Sequence, residues 1–92
     1  MDLGLTGKVA IITGGSDGLG KAAATRMAME GAKVALAARD QARLESAVAE
    51  IKAATNNDDV IGISTDVTNE AQVVRMVDTV VGTWGGIDIL VN

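Results

Sequence analysis

Between Thr13 and Gly20 the chain reads T-G-G-S-D-G-L-G, directly behind the apolar run Val9 to Ile12. Four of these eight residues are glycine. Glycine loses more backbone entropy on folding than any other residue, so a cluster of them belongs where only a missing Cβ serves. Two uses fit: a tight turn from strand to helix, or a backbone that comes close to a ligand. The residues after the loop read as a helix. A helix N-terminus offers unpaired N–H groups and a partial positive charge, and a phosphate suits both. A turn without a ligand needs one or two glycines rather than four.

Three motif registers compete for this stretch. Gly18-Leu19-Gly20-Lys21-Ala22-Ala23 fits the dinucleotide pattern G-x-G-x-x-G/A, but it starts several residues after the strand. Gly15 to Ala22 nearly fits the nucleoside-triphosphate pattern G-x-x-x-x-G-K-[ST]. Ala22 stands where that pattern needs the hydroxyl that binds Mg²⁺, which counts against an ATPase. T-G-x-x-x-G-x-G, with Thr13, Gly14, Gly18 and Gly20, fits without a mismatch. Other candidate residues fall at strand ends: Arg39-Asp40, Asp66-Val67 and Asn92.

The elements that position these residues follow from periodicity. Val9 to Thr13, Lys33 to Ala38, Val60 to Thr65 and Ile87 to Val91 read as apolar strands. Gly18 to Glu30 reads as a helix with Leu19, Ala23 and Met27 on one face, ended by Gly31. Asp40 is a plausible N-cap for a helix through about Ala54, with Leu44, Ala47, Val48 and Ile51 buried. Asn56-Asn57-Asp58-Asp59 is a polar loop. Asn69 to Trp84 reads as a helix with Val73, Val77, Val80, Val81 and Trp84 on one side, broken by Gly85-Gly86.

Strict alternation of strand and helix implies a parallel sheet with helical crossovers. Right-handed crossovers then give the strand order 3-2-1-4, the first half of a doubly wound, Rossmann-like α/β fold. Two helices cover one face and one covers the other. Strand four is an uncovered apolar edge, which natural domains normally protect. The expectation is one domain part, residues 1–92, belonging to a larger domain.

Composition excludes several classes. Hydrophobic residues make up 48% of the 92, which places the chain among globular rather than disordered ones. Twelve acids against eight bases give a net charge of −4, unsuited to a nucleic-acid backbone. No apolar stretch reaches the ~18 residues of a membrane helix. The start, M-D-L-G-L-T-G-K, lacks the apolar core of a signal peptide, so a cytoplasmic protein is expected. There is no Cys, His or Tyr. Thiolate metal sites and disulfides are therefore out, and so are the commonest general base and the phenol.

With these motifs in place the sequence resembles the short-chain dehydrogenase/reductases. The resemblance runs from L-T-G-K-V-A-I-I-T-G-G at Leu5 to D-I-L-V-N at Asp88, and is nearest to 3-oxoacyl-carrier-protein reductases and to sugar or steroid dehydrogenases. It implies that Gly14, Ser16, Asp17, Gly18, Leu19 and Gly20 wrap a cofactor's pyrophosphate and adenosine ribose. Asp66 would accept from the adenine amino group with the Val67 N–H beside it. Asn92 would lie near the cofactor ribose, and Asp88 would brace strand four. Asp66 as a simple turn cap and Asn92 as a mere chain end remain open.

The end of strand two, L-A-A-R-D, bears on NAD against NADP. An acid there would bind a ribose 2′-OH, and an Arg a 2′-phosphate. Ala38 stands where NAD-preferring relatives place the acid and Arg39 where NADP-preferring ones place a base. NADP is therefore expected, with NAD as the alternative; Asp17 is a departure, since many NADP users are basic there. Asp40 competes for the acidic role but is better read as a helix cap.

The family's Ser, Tyr and Lys for catalysis belong after strand four. The chain has no Tyr, so no catalytic residue is assigned within it. The resemblance implies a parent reductase with a small carbonyl or alcohol substrate, homo-oligomeric, these residues alone being inactive. The alternative is a catalytically silent nucleotide-binding module, or a partner that completes its sheet with another chain.

Overall fold

The computed structural model describes residues 4–92. Met1 to Leu3, the start of the stretch read as lacking a signal sequence, lie outside the described residues. Seven elements alternate: β1 (Val9–Thr13), α1 (Gly18–Met29), β2 (Lys33–Ala38), α2 (Gln41–Thr55), β3 (Val60–Ser64), α3 (Glu70–Trp84) and β4 (Ile89–Val91). The strands are all parallel in the order β3-β2-β1-β4, as the right-handed crossover argument requires.

Local chemistry sets most boundaries. Asp40 and Asn69 cap α2 and α3, accepting from Arg43 N–H at 3.2 Å and Gln72 N–H at 3.1 Å. Helix α1 ends in a Schellman turn around Gly31: Gly31 N–H donates to Ala28 O and Ala32 N–H to Met27 O. Strand β4 is two residues shorter than expected. Asp88 occupies its start differently, donating from its N–H to Val9 O at 2.8 Å while its Oδ2 accepts from Val9 N–H at 2.9 Å. That double contact is the brace expected of Asp88.

The core has two layers. Ile12, Leu36, Leu44, Ile51 and Val60 are sealed between the sheet and the α1–α2 pair. On the opposite face Ile11, Ala35 and Ala37 of the sheet pack against Met76 and Val80 of α3. Asn57, expected only as loop, is a clamp: its Nδ2 donates to Ala28 O and Ala32 O, tying α1 to the entry of β2.

Two helix faces differ from the periodic reading. Leu19 is 90% exposed, and the buried residues of α1 are Ala24 and Ala28, flanked by Ala23 and Met27. The first turn of α1 has no neighbour on the Leu19 side. On α3, Val81 is exposed and Met76 takes the buried place with Val80. At the β4 edge Leu90 is 60% exposed.

Candidate functional site

All four strands run in the same direction, so their carboxyl ends open on one edge. The connections out of β1 and β3 lead to opposite sides of the sheet, which makes β1/β4 the switch point where doubly wound folds bind ligands. The glycine loop leaves β1 there. Its first link is structural: Gly14 N–H donates to Ala37 O at 2.7 Å.

Each glycine of the loop has a reason inside the chain. Gly14 and Gly18 have left-handed φ of +68° and +53°, which L side chains rarely adopt. A Cβ on Gly20 would stand 2.6 Å from Gly14 O, and one on Gly15 2.7 Å from the Leu36 side chain. The glycine count is thus explained by the turn alone. What the turn leaves behind is space: a Cβ at Gly14 or Gly18 would meet nothing within 4 Å.

Helix α1 begins in that open ground. Asp17 precedes it with extended backbone, yet its side chain makes no cap hydrogen bond. The carboxylate instead accepts from Arg43 Nη1 at 2.8 Å. Ser16, Asp17, Lys21, Arg43 and Glu50 frame a polar hollow of about 320 Å³, in which Lys21 pairs with Glu50.

A second hollow of about 420 Å³ lies between the ends of β1, β2 and β3, lined by Thr13, Gly14, Ala38, Arg39, Thr65 and Val67. Arg39 Nη2 reaches to 3.8 Å from Asp66 Oδ2. Asp66 holds its turn through the other oxygen: Oδ1 accepts from Thr68 Oγ1 at 2.6 Å and from Thr68 N–H at 2.9 Å. Those bonds, the hydroxyl first, hold its carboxyl below its ordinary value; slight burial opposes them and Arg39 adds to them. Turn capping therefore uses one oxygen only, and Oδ2 stays on the side of Arg39. Val67 is exposed beside it.

Asn92 sits at the end of β4, where its Oδ1 and Val91 O both lie 3.2 Å from Thr13 Oγ1, so the hydroxyl ties β4 to β1. An apolar groove of about 200 Å³ between α3 and β4 opens next to it, lined by Met76, Val77, Ile87 and Leu90. Gly14, Arg39, Asp66, Val67 and Asn92 thus share one edge. Ser16, Asp17, Gly18, Leu19 and Gly20 flank it at the start of α1. Asp40 does not join them, being committed to α2.

Sequence reasoning missed three supporting residues. Gln72 accepts from Asp66 N–H at 2.8 Å, and its position three after the Asn69 cap is a readable capping spacing. Thr68, two after Asp66, has the spacing of an Asx turn. Arg43 carries no local signal, since its partner Asp17 is 26 residues away.

The profile of the family described as short chain dehydrogenase matches residues 8–92. The chain belongs to this family. An uncharacterised oxidoreductase of Staphylococcus aureus is 40% identical over 88 residues, 96% of this chain and 36% of that protein. The chain therefore spans about a third of the length of the curated relatives it matches. L-Sorbose reductase from Gluconobacter frateurii, solved with NADPH and L-sorbose, is 42% identical and superposes with a TM-score of 0.93 over 100% of this chain and 35% of its own. The 3-ketoacyl-(acyl-carrier-protein) reductase of Brucella melitensis, solved with NADH, is 38% identical with a TM-score of 0.85, over 94% and 33%. Hydride transfer with a nicotinamide cofactor is the chemistry of this oxidoreductase family. Among the described residues no helix is long and apolar enough to cross a membrane.

Proposed function

We propose that these residues form the cofactor-binding part of an NADPH-preferring reductase whose catalytic segment lies in a longer parent chain. The observation that carries the reading is the strand-end edge, where Gly14 and Arg39 line one hollow and the open glycine loop leads from it to the uncapped start of α1. On this proposal the hollow takes the adenosine and the loop the pyrophosphate. In this reading Gly14, Ser16, Asp17, Gly18, Leu19 and Gly20 line the phosphates, largely through backbone groups. Asp66 Oδ2 accepts from the adenine amino group, the Val67 N–H lies beside it, and Asn92 stands under the ribose. The bound nicotinamide would supply or accept the hydride.

Arg39 decides between the two cofactors. Its guanidinium is largely exposed, and its nearest acid is 3.8 Å away, so it is free to turn to a 2′-phosphate. Ala38 offers no carboxylate to a 2′-OH. One observation favours NAD instead: Asp17 places an acid in the loop. Its carboxylate is already engaged by Arg43, which supports NADPH as the better reading.

The substrate is proposed as a small carbonyl or alcohol compound. The sugar reductase is the nearer of the two cofactor-bound structures, and the ketoacyl subtype has the weaker support. In the parent enzyme Arg39→Asp should lower the preference for NADPH over NADH by roughly ten-fold or more, read from the two dissociation constants. An unchanged ratio rules out Arg39 as the discriminator.

A further inference from the structure

Arg43 stands in the first turn of α2, where a cation faces the positive end of its own helix. That placement costs the helix a little and calls for another account. The side chain supplies it. Nη1 donates to Asp17 Oδ2 at 2.8 Å, bridging α2 to the loop that opens α1, while Nε lies 3.7 Å from Asp40 Oδ2. The pair is solvent-exposed and so contributes little to fold stability.

Asp is among the best helix-capping residues, and the Asp17 backbone is extended as a cap requires. Its carboxylate nevertheless leaves the first N–H groups of α1 alone. Those are the groups a phosphate would use. Without Arg43 the carboxylate would be an unpaired anion at the N-cap of α1, either on these N–H groups or facing the incoming phosphate.

Resting on the nucleotide-binding reading above, we propose that Arg43 is a positioning residue for the cofactor phosphates. It anchors and neutralises Asp17, which lets a loop containing an acid accept an anionic ligand. Arg43 acts through Asp17 and makes no phosphate contact of its own.

The test is a titration of the full chain with ADP by calorimetry and with adenosine, which has no phosphate, by NMR. Arg43→Ala should weaken ADP about five-fold, the size of one carboxylate–N–H contact at a helix start, and leave adenosine unchanged. Arg43→Lys, which keeps the charge, should retain most of the affinity. Adding Asp17→Ala, which removes the charge and the capping acceptor together, to Arg43→Ala should recover the loss. Equal ADP affinity in Arg43→Ala overturns the proposal, as does an equal loss for adenosine. A double variant that stays weak overturns it too, because Arg43 would then touch the phosphate itself. If the unaltered chain binds neither compound, the nucleotide reading falls and this proposal with it.

Discussion

Asp17 and Asp40 occupy equivalent places, each with extended backbone just ahead of a helix on the same face of the sheet. Asp40 accepts from Arg43 N–H and closes the start of α2. Asp17 accepts from the Arg43 guanidinium and leaves the start of α1 open. One arginine therefore serves both acids: its backbone N–H caps with Asp40, and its guanidinium donates to Asp17 at 2.8 Å while its Nε lies 3.7 Å from Asp40. The local chain contributes as well. Gly18, directly after Asp17, has φ +53°, which departs from the helical geometry a cap bond depends on, whereas no residue near Asp40 is left-handed. Identical residues in identical registers thus give one helix start closed by a side-chain cap and one left open.

The largest effect should come from closing the open end. Gly20→Ala would drive a Cβ into Gly14 O, and backbone cannot yield as a flexible side chain can. We expect about 2 kcal/mol of lost stability by denaturant unfolding, together with loss of nucleotide binding. If Gly20→Ala were neutral in both, the loop would be looser than its packing indicates.

A smaller effect separates the two acids directly. Asp40→Ala removes a real cap and should cost about 1 kcal/mol. Asp17→Ala removes an exposed ion pair and no cap, and should stay within about 0.5 kcal/mol. Equal costs in paired unfolding curves would erase the distinction between the two helix starts.

Much of this contrast was beyond the sequence. The order of strands and helices was legible because apolar runs, glycine punctuation and cap residues all pointed the same way; Leu44, Ala47 and Ile51 are buried as their spacing demands. Asp40 as a cap was legible because capping is local. The Asp17–Arg43 pair was not, since it exists only once α1 and α2 lie side by side. Leu19 was misplaced for a related reason: i, i+4 spacing defines a helix face but not how far that face is covered. Asp66 was legible as a strand-end acid, while the split of its two oxygens between Thr68 and Arg39 required the fold.

The smallest effect belongs to Asp66, the third acid on this edge. Its carboxyl titrates below the ordinary range in the folded chain, chiefly through the Thr68 hydroxyl. The sign follows: its stabilisation is complete above the ordinary carboxylate range and is lost as pH falls through the lowered value. Melting curves of the unaltered chain and Asp66→Asn should therefore differ by a constant amount at neutral pH and converge on acidification. A gap that widens toward acid would contradict the assignment.

The most direct measurement is an amide NMR titration of the chain with NADPH. The account predicts that the largest shifts fall on Gly18, Leu19 and Gly20 at the open start of α1, with a second set at Asp66 and Val67. Arg43 and Leu44, at the finished start of α2, should move less. Shifts centred on α2, or absent from the glycine loop, would contradict it.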